Sequence, residues 1–285
     1  MRDSFYRSGR TPQQFGFSII EFMIAMTIGL LVLMVAVQIV ISSRRALDVV
    51  HGQLIAQQAG RLGLHFISQS TRLAGFINVG ELTALEGDIY AAELVNRLAV
   101  DEQWVGTALF QSQAVIVGSD STDANLFQAN SNNDSFSLRL KGSNDESLLD
   151  CSGVAVAATQ ISVMTFYIDT NRQLRCAVLE NNISRNVVLV EGVYAMQLLY
   201  AVSRINGQQK TYGYVNASQM ELSDWENVKG VKLGLLTQSD NSPLEGASDA
   251  ILLLDTMVDI SGLDNGHVYQ TYIQTIALRN QVSNE

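Results

Sequence analysis

The stretch Gly16-Phe17-Ser18-Ile19-Ile20-Glu21, followed by an uncharged run that extends to Ser43, decides the architecture of this chain. Residues 22–41 are nearly all apolar, and the exceptions are Thr27, Gly29 and Gln38. As an α-helix, these residues would extend about 30 Å, which matches the hydrocarbon core of a bilayer. The sequence therefore predicts a membrane-spanning helix in residues 17–43.

The residues before the apolar run are arranged differently from those of a secretory signal. A secretory signal places its cleavage site after the apolar region. Here the arginines at positions 2, 7 and 10 precede Gly16, and the apolar run follows it. Cleavage between Gly16 and Phe17 would remove a basic segment, residues 1–16, and leave the helix in the chain.

Glu21 is the only charged residue between Arg10 and Arg44. A carboxylate inside a membrane costs roughly 2.5 to 3.5 kcal/mol on insertion scales, so an acid at this depth indicates a function and requires a partner. After cleavage, the nearest candidate cation would be the new amine of Phe17.

Residues 16–26, GFSIIEFMIAM, with the basic segment before them, resemble the class III leader and helix start of type IV pilins and type II secretion pseudopilins. The resemblance implies that prepilin peptidase cleaves after Gly16 and methylates the amine of Phe17. It also implies that Glu21 pairs with a terminal amine during filament assembly. The alternative is a plain signal anchor in which Glu21 only benefits from the positive end of the helix.

The composition predicts a globular head on this anchor. With 285 residues and 47% hydrophobic content, the chain can bury a core of its own. Removing residues 1–16 takes away three of 18 basic and one of 28 acidic residues, which leaves 15 basic and 27 acidic residues and a net charge of −12. Such a charge disfavours nucleic acid as a partner.

Beyond Arg44 and Arg45, apolar residues recur at spacings of three and four, which predicts an amphipathic continuation of the helix through residues 44–75. Gly75 is the predicted stop. The residues of the apolar stripe are Leu47, Val50, Leu54, Ile55, Ala59, Leu62, Phe66, Ile67 and Leu73.

The remainder, residues 76–285, has the pattern of an α+β head. Residues 81–101 have moderate helical character, and residues 223–228 predict a helical turn capped by Ser223. Turns are predicted at residues 169–172 and 206–207. The predicted strands are residues 114–118, 135–141, 153–157, 160–168, 173–178, 186–190, 194–202, 229–237, 250–255 and 269–278.

Residues 119–134 are rich in Ser, Asn and Asp, which predicts a solvated loop. Calcium binding through Asp120, Asp123, Asn125 or Asp134 is the alternative, although their spacing differs from that of an EF-hand. The sequence therefore predicts no metal site.

Two cysteines, Cys151 and Cys176, lie in the part expected outside the cytoplasm, where an even count favours a disulfide. The bridge would close a loop of about 25 residues and contribute on the order of 3 kcal/mol. We expect Cys151 to hold the strand before the hairpin that carries Cys176. The alternative, a reactive thiol pair, lacks a Cys-x-x-Cys spacing.

Three segments of the head, residues 192–200, 224–233 and 276–280, resemble the PilW family of minor pilins, as does the helix end at residues 73–76. The resemblance implies a pilin fold, in which one long N-terminal helix packs on an antiparallel β-sheet head. From the residues alone, Trp225 is predicted to be a core aromatic and Arg279 a solvated charge at a strand end.

The resemblance also implies a function and partners. A minor pilin of the type IV pilus primes assembly with other minor pilins, packs with them and with the major pilin through its helix, and carries a tip adhesin in some systems. It is held in the inner membrane with a periplasmic head until it enters the pilus. The alternatives are a J-type pseudopilin of type II secretion and a membrane-anchored periplasmic binding or adhesion module.

Catalysis has no support in the sequence. His51, His65 and His267 lack metal-ligand spacing, and no nucleophile elbow, P-loop or dinucleotide fingerprint is present. We therefore expect neither an enzyme nor a cofactor.

Overall fold

The computed structural model describes Gly16 and residues 18–76, 103–105, 108–110, 114–121, 132–143, 147–158, 160–180, 183–206, 209–239, 250–260 and 267–280. The chain divides into two compact units, residues 1–48 and residues 49–285. The predicted helix at residues 81–101 lies outside the described residues.

The described elements are one α-helix, thirteen strands and two short 3-10 helices. The helix α1 spans Ile19–Leu73, and the 3-10 helices are Ala217–Gln219 and Leu222–Asn227. The strands are β1 Gln103–Val105, β2 Ala108–Phe110, β3 Ile116–Ser119, β4 Ser135–Lys141, β5 Ile161–Ile168, β6 Gln173–Glu180, β7 Ile183–Glu191, β8 Val193–Asn206, β9 Gln209–Val215, β10 Val228–Gln238, β11 Ala250–Leu253, β12 Thr256–Asp259 and β13 Tyr269–Ala277.

These strands form two main sheets in the second unit. One has five strands in the order β3-β4-β5-β6-β7, and the other has four in the order β13-β10-β8-β9. β1 pairs with β2, and β11 with β12. All of these pairings are antiparallel. The predicted combination of one long N-terminal helix and an antiparallel β head is therefore confirmed.

The hydrophobic core lies between the two sheets and the second half of α1. Side chains of α1, including Ile67, join one buried cluster with residues of β4, β5, β8 and β10. Phe136 and Phe166 stack at 5.1 Å between ring centroids within this cluster. A smaller cluster, formed by Ala195, Leu236, Leu253 and Ile260, lies under the β11–β12 hairpin.

The predicted continuation of α1 and its stop are confirmed, but the predicted apolar stripe is wrong in part. Leu47, Val50, Leu54 and Leu62 are 44 to 65% exposed. The buried residues of α1 are instead mostly small: Gly52, Ala56, Ala59, Gly60, Gly63, Ile67, Ser68 and Thr71. Small side chains allow the helix backbone to approach the sheets closely, so this face is buried although it is less hydrophobic than the stripe.

Most predicted strands are present, and two local predictions are wrong. Residues 153–157 form no strand, because the carboxylate of Asp150 accepts the backbone N–H groups of Ser152 and Val154 and folds the chain into a turn. Ser223 does not cap the helical turn at residues 222–227. Its cap is Glu221, which forms a capping box with Asp224.

Candidate functional site

The start of α1 carries the processing residues predicted from the sequence. Gly16 is exposed and lies outside the helix, and α1 begins three residues later at Ile19. Phe17 lies outside the described residues. Glu21 is exposed in the first turn of α1, where the positive end of the helix favours an acid.

The first half of α1 presents apolar side chains on all sides. Every residue from Ile19 to Asp48 is exposed, including Phe22, Ile28, Leu33 and Ile39. α1 is long and apolar enough to cross a membrane by length and composition. Because these side chains are not covered within the chain, the segment requires lipid or other helices around it.

The second half of α1 is attached to the four-stranded sheet by two close contacts. The Thr237 hydroxyl of β10 donates a hydrogen bond to the carbonyl of Ala56 at 3.0 Å, in a fully buried position. Tyr272 of β13 packs its ring against Gly60. Neither contact was predicted from the sequence, although the recurrence of Gly and Ala between positions 52 and 63 is a signal for a close approach.

The end of α1 is closed by two other parts of the head. Gly75 has a φ of +71°, a conformation that glycine adopts without strain, and donates its N–H to the carbonyl of Arg139 at 2.9 Å. The Asn280 amide donates to the carbonyls of Arg72 and Ala74. The residues after β13 therefore satisfy helix carbonyls that would otherwise have no partner.

The predicted disulfide joins Cys151 to Cys176, with 6.4 Å between their Cα atoms. Cys176 lies in the core on β6. Cys151 lies in the turn anchored by Asp150, so the expectation that it holds a strand is corrected. Arg185 of β7 donates to Asp150 at 2.5 Å. Hydrogen bonds from Ser152 and Arg185 hold the pKa of Asp150 below its usual value despite its burial.

Both ends of the predicted solvated loop bind backbone of the head. Asp120 accepts the N–H groups of Ala217 and Ser218 at 2.7 and 2.8 Å. Asp134 is 3% exposed and accepts the N–H of Leu198 at 2.6 Å. Burial raises the pKa of Asp134 to about 7. The prediction of a solvated loop is thus wrong at Asp134.

No cluster of three or more His, Cys, Asp or Glu side chains with the geometry of a metal site occurs among the described residues. Asp120 and Asp134 already serve as backbone acceptors, and Asp123 and Asn125 lie outside the described part of the chain. The calcium alternative therefore gains no support from the part of the loop that can be described.

The predictions for Trp225 and Arg279 agree with the structure. Trp225 is 5% exposed and packs edge-on against Tyr200, with 4.9 Å between ring centroids. Arg279 is exposed just after β13. Asp224, which precedes Trp225, pairs with Arg204 of β8 at 2.6 Å. The resulting hydrogen bonds lower the pKa of Asp224 and fix the turn that places Trp225 in the core.

Comparisons with known proteins match two separate parts of the chain. The family described as Type IV Pilus-assembly protein W matches residues 165–280, and the prokaryotic N-terminal methylation motif matches residues 11–37. The first match covers the region from β5 to β13, and the second spans the predicted cleavage site and the start of α1.

Among solved structures, the type IV-like pilin TTHA1219 from Thermus thermophilus aligns with a TM-score of 0.35 and 15% identity, over 70% of this chain and 100% of that chain. No curated protein gives a significant match. The methylation motif and the apolar helix indicate a membrane anchor that carries a globular head. The chain thus resembles type IV pilus pilin-like proteins: residues 165–280 are similar to the PilW family, and residues 11–37 are similar to the N-terminal methylation motif.

Proposed function

We propose that the chain is a minor pilin that primes assembly of the type IV pilus with other minor pilins and lies at the fibre tip. Prepilin peptidase cleaves the inner-membrane precursor between Gly16 and Phe17 and methylates Phe17. Residues 17–43 span the membrane, residues 44–75 continue the helix, and residues 76–285 form the periplasmic head. The match to a pilus-assembly family over residues 165–280 supports this proposal. Pilin-like proteins are structural components rather than enzymes.

The observation that carries the proposal is the isolated carboxylate of Glu21. It is exposed on α1, and residues 18–43 contain no other charged side chain. An unpaired carboxylate in a bilayer costs roughly 2.5 to 3.5 kcal/mol. The methylated amine of Phe17 in a neighbouring subunit supplies the opposite charge. This pair forms only between cleaved subunits, so Glu21 links processing to assembly.

The outer face of the second half of α1 supports packing with helices of other subunits. Leu47, Val50, Leu54 and Leu62 are exposed there, on the side of the helix opposite its small-residue face. Exposed apolar surface of this kind is typical of an interface. We infer that other minor pilins and the major pilin contact this face, and that a tip adhesin binds the head.

The experiment that tests the proposal compares Glu21→Gln with the native chain and with Thr27→Ala, a control in the same apolar segment. Glu21→Gln retains the size of the side chain and removes its charge. We expect it to be cleaved and inserted normally and to enter fibres at least tenfold less, as measured by its ratio to major pilin in sheared fibres. Equal incorporation of Glu21→Gln and native chain would overturn the proposed role.

A further inference from the structure

β9 forms an open edge of the four-stranded sheet. It is the last strand in the order β13-β10-β8-β9, and no described strand lies along its outer side. Its pairing with β8 runs from Tyr200–Val215 to Asn206–Gln209 without a register shift. An open, regular edge presents backbone N–H and C=O groups in the geometry that another strand requires.

The usual protections of an edge strand are weak in β9. Proteins commonly protect such edges with proline, several charges or a bulge. The sequence of β9, QKTYGYV, has one charge and no proline. By contrast, β7, an edge of the five-stranded sheet, carries Arg185 and Glu191, and its pairing with β6 contains a register shift.

Both faces of β9 are accessible. Tyr212 and Tyr214 project to one face and are 70 and 51% exposed. Thr211 and Gly213 lie on the other face and are also exposed. Successive side chains of an added strand would point alternately to these two faces. Each face can therefore bind a different kind of side chain from that strand.

The second face contains a pocket of about 120 Å³ beside the strand edge. Its lining residues are Val202, Arg204, Thr211, Tyr212, Gly213 and Val215. A Cβ built on Gly213 would have no atom within 4 Å, so the absence of a side chain there keeps the pocket open. The pocket accommodates one aliphatic side chain from a neighbouring strand.

The charges beside β9 favour an acidic occupant. On the tyrosine face, Lys232 lies 6.0 Å from the ring centroid of Tyr214, and no ion pair joins it to a described acid. On the pocket face, Arg204 is paired with Asp224 and is also close to Glu221, so that face carries no excess positive charge. The positive charge therefore lies on the tyrosine face, at Lys232, in a chain whose net charge is −10.

We propose that β9 is a docking edge for an extended segment of another fibre subunit. The segment adds antiparallel to β9 as a fifth strand, places an aliphatic side chain in the Gly213 pocket and a carboxylate near Lys232. This proposal rests on the proposed function, because the occupant is another subunit of the same fibre. Backbone hydrogen bonds along the edge provide affinity, and the pocket and lysine provide specificity.

The test introduces a photo-crosslinking amino acid at position 212 or 214 of the full-length chain in cells, with each cross-link mapped to a residue of the partner. Antiparallel addition predicts that moving the probe from 212 to 214 moves the cross-link two residues towards the partner's N-terminus. A partner segment with an aliphatic residue and a carboxylate supports the proposal. Cross-links scattered over a folded surface, or found only on lipid or glycan, would overturn it.

A pair of variants tests the pocket directly. Gly213→Leu adds a side chain at the pocket, where a Cβ would meet no atom within 4 Å, and Thr271→Leu adds the same side chain at an exposed position of β13, the other edge of the same sheet. With equal unfolding temperatures, we expect Gly213→Leu to reduce cross-linking from position 214 at least tenfold and Thr271→Leu to leave it unchanged. Equal yields for the two variants would contradict strand addition.

A helix probe at Leu54 separates failure of this inference from failure of the proposed function. Cross-links between the Leu54 probe and other pilins, with none from β9, would overturn strand addition alone. Loss of both sets of cross-links would contradict both proposals.

Discussion

The ring of Tyr272 on β13 lies against the backbone of Gly60 on α1, so that a side chain at position 60 would overlap it. The overlap includes the ring atom Cγ, which lies 2.7 Å from where a Cβ on residue 60 would sit, and it is not relieved by rotation of the ring about its own axis. The Tyr272 hydroxyl donates a hydrogen bond to the side-chain oxygen of Gln270 at 2.6 Å, which holds the ring in place. The small residue at position 60 thus sets how closely the helix approaches the sheet.

Gly60→Ala is expected to destabilise the chain by about 1 to 3 kcal/mol, since it overpacks this contact. At an open helix position the same change would stabilise by up to about 1 kcal/mol, so the sign of the effect tests the contact. Urea unfolding of the full chain in detergent measures it, with Gln58→Ala at an exposed position of α1 as the control. A Gly60→Ala chain more stable than the native one would show that the ring does not pack there.

Removing the disulfide is expected to cost on the order of 3 kcal/mol, because the bridge closes a sequence separation of 25 residues. The double variant Cys151→Ala/Cys176→Ala avoids a free thiol and should unfold at a lower temperature. Reductant should lower the unfolding temperature of the native chain to that of the variant. It should leave the unfolding temperature of the variant unchanged. Intact mass would contradict the bridge if it showed two free thiols in chain purified from an oxidising compartment.

The stability of the head is expected to fall as the pH rises from about 4 to 7 because of Asp134. Burial, together with the nearby Asp120 and Asp255, raises its pKa to about 7, so the folded state holds a proton that the unfolded state has lost. This contribution is fully present below the ordinary pKa of 3.8 and is lost as the pH passes 7.

Asp134→Asn tests this effect, since its amide oxygen can still accept the N–H of Leu198 but cannot ionise. We expect the variant to gain stability over the native chain at pH 8 and to differ little at pH 4. The control is Asp48→Asn, which removes an exposed acid of α1 that does not contribute to the raised pKa of Asp134. If native chain and Asp134→Asn lost stability in parallel between pH 4 and 8, another group would be responsible.

The sequence predicted the features that depend on local composition. The apolar run, the stop at Gly75 and the hairpin at residues 169–172 are strong local signals, and all are present. The disulfide also followed from the cysteine count and the expected compartment.

The features that depend on packing were not predicted. The hydrophobic spacing of Leu54 and Leu62 indicated a buried stripe, but the close approach at Gly60 orients the opposite face of α1 to the sheets. Likewise, Asp134 has a polar sequence neighbourhood and is buried because β8, more than sixty residues away, supplies its hydrogen-bond donor. Long-range partners of this kind leave no local pattern.

The candidate functional residues also divide into those that local sequence predicted and those that depend on packing. Glu21 was identified from its isolation in the apolar run, which is visible in the sequence alone. The proposed docking edge at β9 was not identified from the sequence, because the order of strands in the sheet decides which strand lies at an edge. The pocket at Gly213 forms only when β8 and β9 pair.

The most direct test of the account is the mass of the N-terminal peptide of the chain isolated from fibres. We predict that this peptide begins at Phe17 and carries one methyl group on its amine, and that Gly16→Ala accumulates in the membrane with residues 1–16 still attached. A fibre-associated chain that retains residues 1–16, or a Gly16→Ala chain that functions uncleaved, would contradict it and indicate a plain membrane anchor.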